Sequence, residues 1–186
     1  MQTQVLTMPG IYGSGSQHWQ TLWEAEDPQF KRIQVEDWDH PQCAAWVRSI
    51  DDAIATAAAP VVLVAHSLGC LAVVAWAMQT RQPIRVHGML LVSVPDPQGP
   101  NFPADAKGFA RHELRRIAIP GIVVSSDDDP YGAPAYAREC AQAWGSRFVN
   151  AGALGHINAS SGVGNWPAGM RLLASLRQAE QGVKAG

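Results

Sequence analysis

The chain has 186 residues, a formal net charge of −2, 47% hydrophobic residues and 16% charged residues. That length supports one domain with a substantial core, and the low charge content excludes a disordered chain. Acids and bases are scattered without blocks of like charge, which leaves no electrostatic footprint for nucleic acid or an anionic membrane.

In chain order, short runs of valine, leucine and isoleucine alternate with longer helix-like stretches. Strands are expected at Val5 to Met8, Arg32 to Val35, Val61 to Ala65, Gly88 to Val94, Gly121 to Ser125 and Arg147 to Asn150. Helices are expected at His18 to Glu26, Gln42 to Ala58, Leu68 to Gln79, Pro134 to Trp144 and Trp166 to Gln178, with a frayed tail from Gln181. Strands alternating with helices call for a mostly parallel sheet covered on both faces, and continuous apolar strands agree with burial on both sides. The expected spatial order is second, first, third, fourth, fifth, sixth, in a single domain over residues 1–186. Pro95 to Arg116, with four prolines, breaks the rhythm and reads as an irregular connection at the ligand-binding edge of the sheet.

Cys43, Cys70 and Cys140 cannot all pair and lack metal-ligand spacing, so they read as free thiols in a reducing, cytoplasmic setting. Met1-Gln2-Thr3-Gln4 carries no secretory pattern, and the apolar run ending at Ala65 is far short of the ~20 residues a membrane span needs.

The most informative stretch is Val64-Ala65-His66-Ser67-Leu68-Gly69-Cys70. A buried strand turns sharply into an alanine-rich helix, and the positions two before and two after Ser67 are small. Such a bend holds a serine hydroxyl clear of the sheet and aims helix N-terminal N–H groups at it. The bland alternative is a serine that merely begins a helix; the strand-before, helix-after context favours a nucleophile.

A nucleophilic serine needs a base, and the base an orienting acid. The fifth strand runs into Ser126-Asp127-Asp128-Asp129-Pro130, at the same sheet edge as Ser67. Asp129 is the expected acid because Pro130 makes its backbone extended; Asp127 or Asp128 reads as a turn former, and Asp96 is a weaker candidate. Of six histidines, His156 lies in the loop after the last strand, where the base belongs. His66 is expected to point away from the nucleophile in a structural role. His18 stands near the pocket, and His40, His87 and His112 read as surface or packing residues. Oxyanion donors are expected from the N–H groups of Leu68 and of Ile11, in the turn Pro9-Gly10-Ile11-Tyr12-Gly13-Ser14-Gly15. This turn lacks the spacing of a phosphate-binding glycine loop. Tyr12, Trp38 and Phe102 are the expected substrate contacts, with Phe109 a further pocket candidate. The other tryptophans read as core.

These pieces, together with His18-Trp19, Trp38-Asp39-His40-Pro41 and Gly155-His156, resemble the small serine hydrolases of the α/β-hydrolase superfamily grouped with retinoblastoma-binding protein 9. The resemblance covers nearly the whole chain. It implies a three-layer α/β-hydrolase fold with six mostly parallel strands and no separate cap domain. Motif by motif it places nucleophile, acid and base on Ser67, Asp129 and His156. Two departures stand out: Pro9 where many relatives carry histidine, and a one-residue-longer turn at Tyr131-Gly132-Ala133-Pro134. The expected activity is hydrolysis of small, short-acyl carboxylic esters through an acyl-Ser67 intermediate, without metal or organic cofactor. A binding protein on a hydrolase fold and a lyase using the same serine and histidine are the alternatives.

Overall fold

The computed structural model describes residues 3–80, 85–110 and 114–183. Six parallel strands form one sheet in the order β2-β1-β3-β4-β5-β6. They are β1 (Gln4–Met8), β2 (Phe30–Arg32), β3 (Val61–His66), β4 (Val86–Val92), β5 (Gly121–Ser125) and β6 (Arg147–Asn150). The helices are α1 (Trp19–Glu26), α2 (Cys43–Thr56), α3 (Leu68–Gln79), α4 (Pro134–Trp144) and α5 (Pro167–Val183).

Alternation along the strands divides the core in two. Leu6, Met8, Leu63, Ala65, Met89, Leu91 and Val123 face α2, α3 and α4. Val5, Val62, Val64, Leu90, Val92, Ile122 and Val124 face the layer of α1 and α5, where Trp19, Trp23 and Trp166 cluster. Every residue of α3 from Leu68 to Trp76 is buried, because the helix is covered by the sheet on one side and by α2 on the other. A helix apolar all round is what such a position requires.

The structure corrects several expected boundaries. β2 begins at Phe30 rather than Arg32 and ends before Val35. An Asp27 turn, in which its carboxylate accepts the Gln29 N–H and its carbonyl the Phe30 N–H, starts the strand early. Phe30 then buries its ring against Trp23. β4 ends at Val92, since Ser93 enters the left-handed region at φ 56°. α5 continues to Val183 through the expected tail, carried by the strong helix formers Ala179, Glu180 and Gln181. The expectation for His112 and the end of the tail lie outside the described residues.

The Pro95 to Arg116 connection, described except at 111–113, folds back across the sheet edge. Lys107 donates its N–H to Pro41 O and accepts that of Cys43, pinning the connection to the start of α2. Phe109 is buried against Trp46 in the core and is therefore not a pocket residue. The described residues of this connection form no separate cap domain over the sheet edge. Among the described residues no helix is long and apolar enough to cross a membrane.

α3 approaches the end of β1 too closely to leave room for a side chain at Gly69. A Cβ on Gly69 would lie 2.4 Å from both Met8 O and Pro9 O. Gly69→Ala is therefore expected to lower unfolding free energy by about 1–3 kcal/mol, the usual cost of overpacking. Urea denaturation measures it; an unchanged midpoint would mean that α3 can move off β1 without cost.

Candidate functional site

The turn between β3 and α3 holds Ser67 at φ 54° and ψ −127°, a conformation disfavoured for any residue with a side chain. Strain of this kind costs about 1–3 kcal/mol and persists only where the surroundings enforce it. Here the Ser67 N–H is held by Val92 O at 2.9 Å, and the helix that follows is buried from Leu68 to Trp76. Gly10 closes the other side: a Cβ there would stand 2.8 Å from Ser67 Cβ.

His156 comes from the loop after β6, and Asp129 from the loop after β5. His156 Nε2 lies 2.8 Å from Ser67 Oγ, and its Nδ1 lies 2.9 Å and 3.0 Å from the two carboxylate oxygens of Asp129. The Asp129 side chain is 1% exposed and that of His156 10%. The Tyr131 N–H also donates to Asp129 Oδ1 at 3.0 Å, so the carboxylate is oriented by its own turn. The structure thus brings Ser67, His156 and Asp129 into one hydrogen-bonded row, in which the imidazole can take the serine proton while the carboxylate fixes the tautomer.

The aspartate run divides its work residue by residue. Asp127 Oδ1 accepts from Asn150 on β6 at 2.7 Å. Asp128 Oδ1 accepts from Ser126 Oγ at 2.8 Å and from Gly155 N–H at 2.7 Å, and these two bonds hold its carboxyl below the usual range. Ser126 Oγ in turn accepts the Leu154 N–H. Asp96 accepts the Gln98 N–H in its own turn, whereas the carboxylate at His156 is that of Asp129.

The histidine loop is bent: Gly155 and Ile157 have φ of 54° and 44°. A β-branched residue in the left-handed region is a genuine outlier, and two side chains from across the fold hold it. Trp19 Nε1–H donates to Ile157 O at 2.8 Å, and His66 Nε2–H donates to His156 O at 2.8 Å. His66 has the structural role expected of it, but carries it at the site rather than away from it. It lines the cleft, its ring stands edge-on to His156 at 4.8 Å, and it supports the main chain of the residue beside Ser67. Its signal in the sequence was its position next to Ser67, which fixes distance but not direction. Burial first, and then its neighbours His156 and His18, hold it well below the ordinary imidazole range. His18 caps α1 through Nδ1, which accepts the Gln20 N–H, and burial followed by Arg32 and His156 pushes its pKa down to about 4.

A cleft of about 470 Å³ surrounds Ser67 and His156. Its lining includes Ile11, Tyr12, Leu68 and Tyr131. The N–H groups of Tyr12 and Gly13 are taken up by Trp38 O and Gly10 O, while that of Ile11 forms no backbone bond among the described residues. Leu68 opens α3, where first-turn N–H groups have no helical partner. Trp38 and Phe102, expected as substrate contacts, are not brought into the cleft. The Trp38 ring instead underlies Gly13 and packs on Trp46, leaving only its carbonyl to shape the turn. Phe102 packs against the core while its neighbours Asn101 and Pro103 line the cleft. Tyr131, which the sequence reading did not single out, stands with its ring 4.5 Å from His156. The cysteines are buried, and burial raises the thiol pKa of Cys43 to about 11 and that of Cys70 well above its ordinary value, so neither is poised as a nucleophile. No group of residues able to hold a metal ion occurs among the described residues.

A parallel sheet carrying a strained serine turn at its third strand, with carboxylate and histidine on the loops after the fifth and sixth, defines the α/β-hydrolase class. Residues 5–175 match the family model described as serine hydrolase, and the chain belongs to that family. Among solved structures it is similar to a protein described as a YdeN-like hydrolase from Pectobacterium atrosepticum, at 29% identity and a TM-score of 0.84, over 96% of this chain and 92% of that one. The ydeN gene product from Bacillus subtilis gives 19% identity and a TM-score of 0.78 over 95% and 100% of the two chains. A likeness in fold extends to the carboxylesterase CesB of Bacillus subtilis, at 13% identity and a TM-score of 0.61, over 92% and 82%. A search of curated proteins finds no match. The narrower likeness to the retinoblastoma-binding protein 9 group rests on the motifs alone.

The buried histidines give stability a pH dependence of definite sign. Between pH 6.5 and about 4 the unfolded chain takes up the His18 proton and the folded chain does not, so stability falls as the pH is lowered through this window. His66 acts in the same direction. Urea midpoints measured from pH 7 to pH 4 should fall less steeply in His18→Gln than in the wild type, and least in His18→Gln/His66→Gln. Equal slopes in all three proteins would show that neither imidazole is kept neutral by the fold.

Proposed function

We propose that the protein hydrolyses small carboxylic esters by transferring a short acyl group to Ser67 and then to water. The observation that carries this reading is the position of His156, 2.8 Å from Ser67 Oγ and 2.9 Å from Asp129 Oδ1. In the proposed reaction His156 Nε2 accepts the Ser67 proton as Oγ bonds to the carbonyl carbon. The tetrahedral oxyanion takes hydrogen bonds from the N–H groups of Leu68 and Ile11. Collapse breaks the bond to the alcohol oxygen, which leaves with the proton held on His156. Water, giving up a proton to the same nitrogen, attacks the acyl-serine; the acid departs and the proton returns to Ser67. Asp129 keeps Nδ1 protonated throughout and stabilises the imidazolium.

The preference for short acyl groups is supported by the size of the cleft and by the Pro95 to Arg116 connection, whose Pro95, Asn101 and Pro103 line the cleft and whose described residues form no domain over it. Little binding energy is then available from a long acyl tail. Tyr12 belongs to the substrate-contact set of this reading. A cytoplasmic setting belongs to it too, supported by free, buried cysteines.

A serine-directed fluorophosphonate should label the wild type at Ser67, and Ser67→Ala should remove the label without altering the far-UV spectrum. Asp129→Asn should lower kcat on aryl esters by roughly 10⁴, the loss expected when the imidazole is left in the wrong tautomer. Asp128→Asn should cost far less, since it loosens the loop without touching His156. Labelling that survives in Ser67→Ala, or a larger loss in Asp128→Asn than in Asp129→Asn, would overturn the assignment. A steep rise in kcat/KM from acetyl to long-chain esters would reject the short-acyl preference alone.

A further inference from the structure

Tyr12 is 69% exposed, the most open of the large apolar side chains among the described residues. It also adopts φ 68°, in the left-handed region that favours glycine or asparagine. The turn is closed by main-chain bonds, from Tyr12 N to Trp38 O and from Gly13 N to Gly10 O, which need no side chain at position 12. An exposed aromatic ring held in a strained backbone at the lip of a cleft is the pattern of a side chain kept for contact with a ligand. Tyr12 lines the same cleft as Ser67 and adjoins Ile11, whose N–H is the proposed oxyanion donor.

A second tyrosine, Tyr131, lines the same cleft. Tyr131 is 37% exposed, and its ring centroid lies 4.5 Å from that of His156 at an interplanar angle of 56°. In the proposed reaction His156 delivers the proton to the departing oxygen, so a group packed beside its imidazole borders the path of the alcohol. Tyr131 is placed there by Asp129, whose Oδ1 accepts its N–H at 3.0 Å.

From these two side chains we infer that the cleft selects for the alcohol part of the ester: Tyr12 and Tyr131 hold a flat aromatic leaving group as it departs. The inference rests on the hydrolase reading and deepens it, passing from short acyl esters to esters of phenols. Tyrosine faces hold planar rings by offset or edge contacts beyond simple area burial. A branched alkyl alcohol of the same acidity offers no such contact, so the chemistry of the leaving group can be held constant while its shape changes.

The test compares kcat/KM for phenyl acetate and hexafluoroisopropyl acetate, whose alcohols are of similar acidity, and takes their ratio. The wild type should favour the phenyl ester. In Tyr12→Asn the ratio should fall about three- to tenfold, the size of aromatic contacts, and in Tyr131→Leu by a similar factor. Asparagine accepts the left-handed backbone, so the unfolding midpoint of Tyr12→Asn should be no lower than that of the wild type. A ratio that neither variant changes would overturn the inference. So would a Tyr12→Asn variant that loses thermal stability with its ratio intact, because that result assigns the ring to packing. Fluorophosphonate labelling of the wild type separates the two levels: labelling at Ser67 with no preference for the phenyl ester rejects the tyrosine clamp alone, whereas absence of labelling rejects the hydrolase reading beneath it.

Discussion

The close approach of α3 to the end of β1 is the constraint on which the rest of the site depends. Gly69 lies where any side chain would strike the carbonyls of Met8 and Pro9, and Gly10 lies where a side chain would strike Ser67. With both positions bare, the β1 turn and the start of α3 are pressed together. The chain must then reverse from strand to helix within one residue, and Ser67 takes the left-handed backbone that results. One geometry thereby supplies an outward hydroxyl and a helix start beside it. The cost is carried by α3, buried from Leu68 to Trp76, which cannot shift to relieve the turn without opening the core.

The opposite side of the site is built on another principle. The loop holding His156, which runs from β6 to a short 3-10 helix at Ala159–Ser161, contains three residues of positive φ, Gly152, Gly155 and Ile157. Its shape is imposed by side chains from distant parts of the sequence: Trp19 on α1, His66 at the end of β3, and Ser126 and Asp128 after β5. These bonds go to main-chain atoms, so they fix where the imidazole starts from rather than the imidazole itself. The load of tryptophan on α1 finds its physical reason here, since Trp19 and Trp23 each combine a buried ring with an indole N–H spent on a loop carbonyl.

The sequence was legible wherever a local rule governed the outcome. Apolar runs separated by helical periods led to six strands, and the sheet has the expected order β2-β1-β3-β4-β5-β6. The small residues flanking Ser67 announced the sharp turn, because backbone crowding there leaves no other choice. The row of Asp129, His156 and Ser67 was readable from chain order and from the shared edge on which parallel strands end. Boundaries were less legible: β2 starts early because an Asp27 turn and the burial of Phe30 outweigh the β-branched run that follows.

Direction is what the sequence could not supply. That Trp38 turns under Gly13, that Phe102 and Phe109 turn into the core, and that Tyr131 turns toward His156 depends on which neighbours fill the space first. In loops, side-chain orientation has no period and is decided by packing from elements far away in the chain. His66 shows both halves of this division. Its place beside Ser67 is fixed by one peptide bond, whereas its bond to the His156 carbonyl spans 90 residues. The sequence by itself determined the fold, the serine turn and the candidates for acid and base, because these follow from periodicity, backbone sterics and strand order. The tertiary structure alone decided which aromatic rings reach the cleft and which histidine supports the base, because those outcomes are set by competition for buried volume.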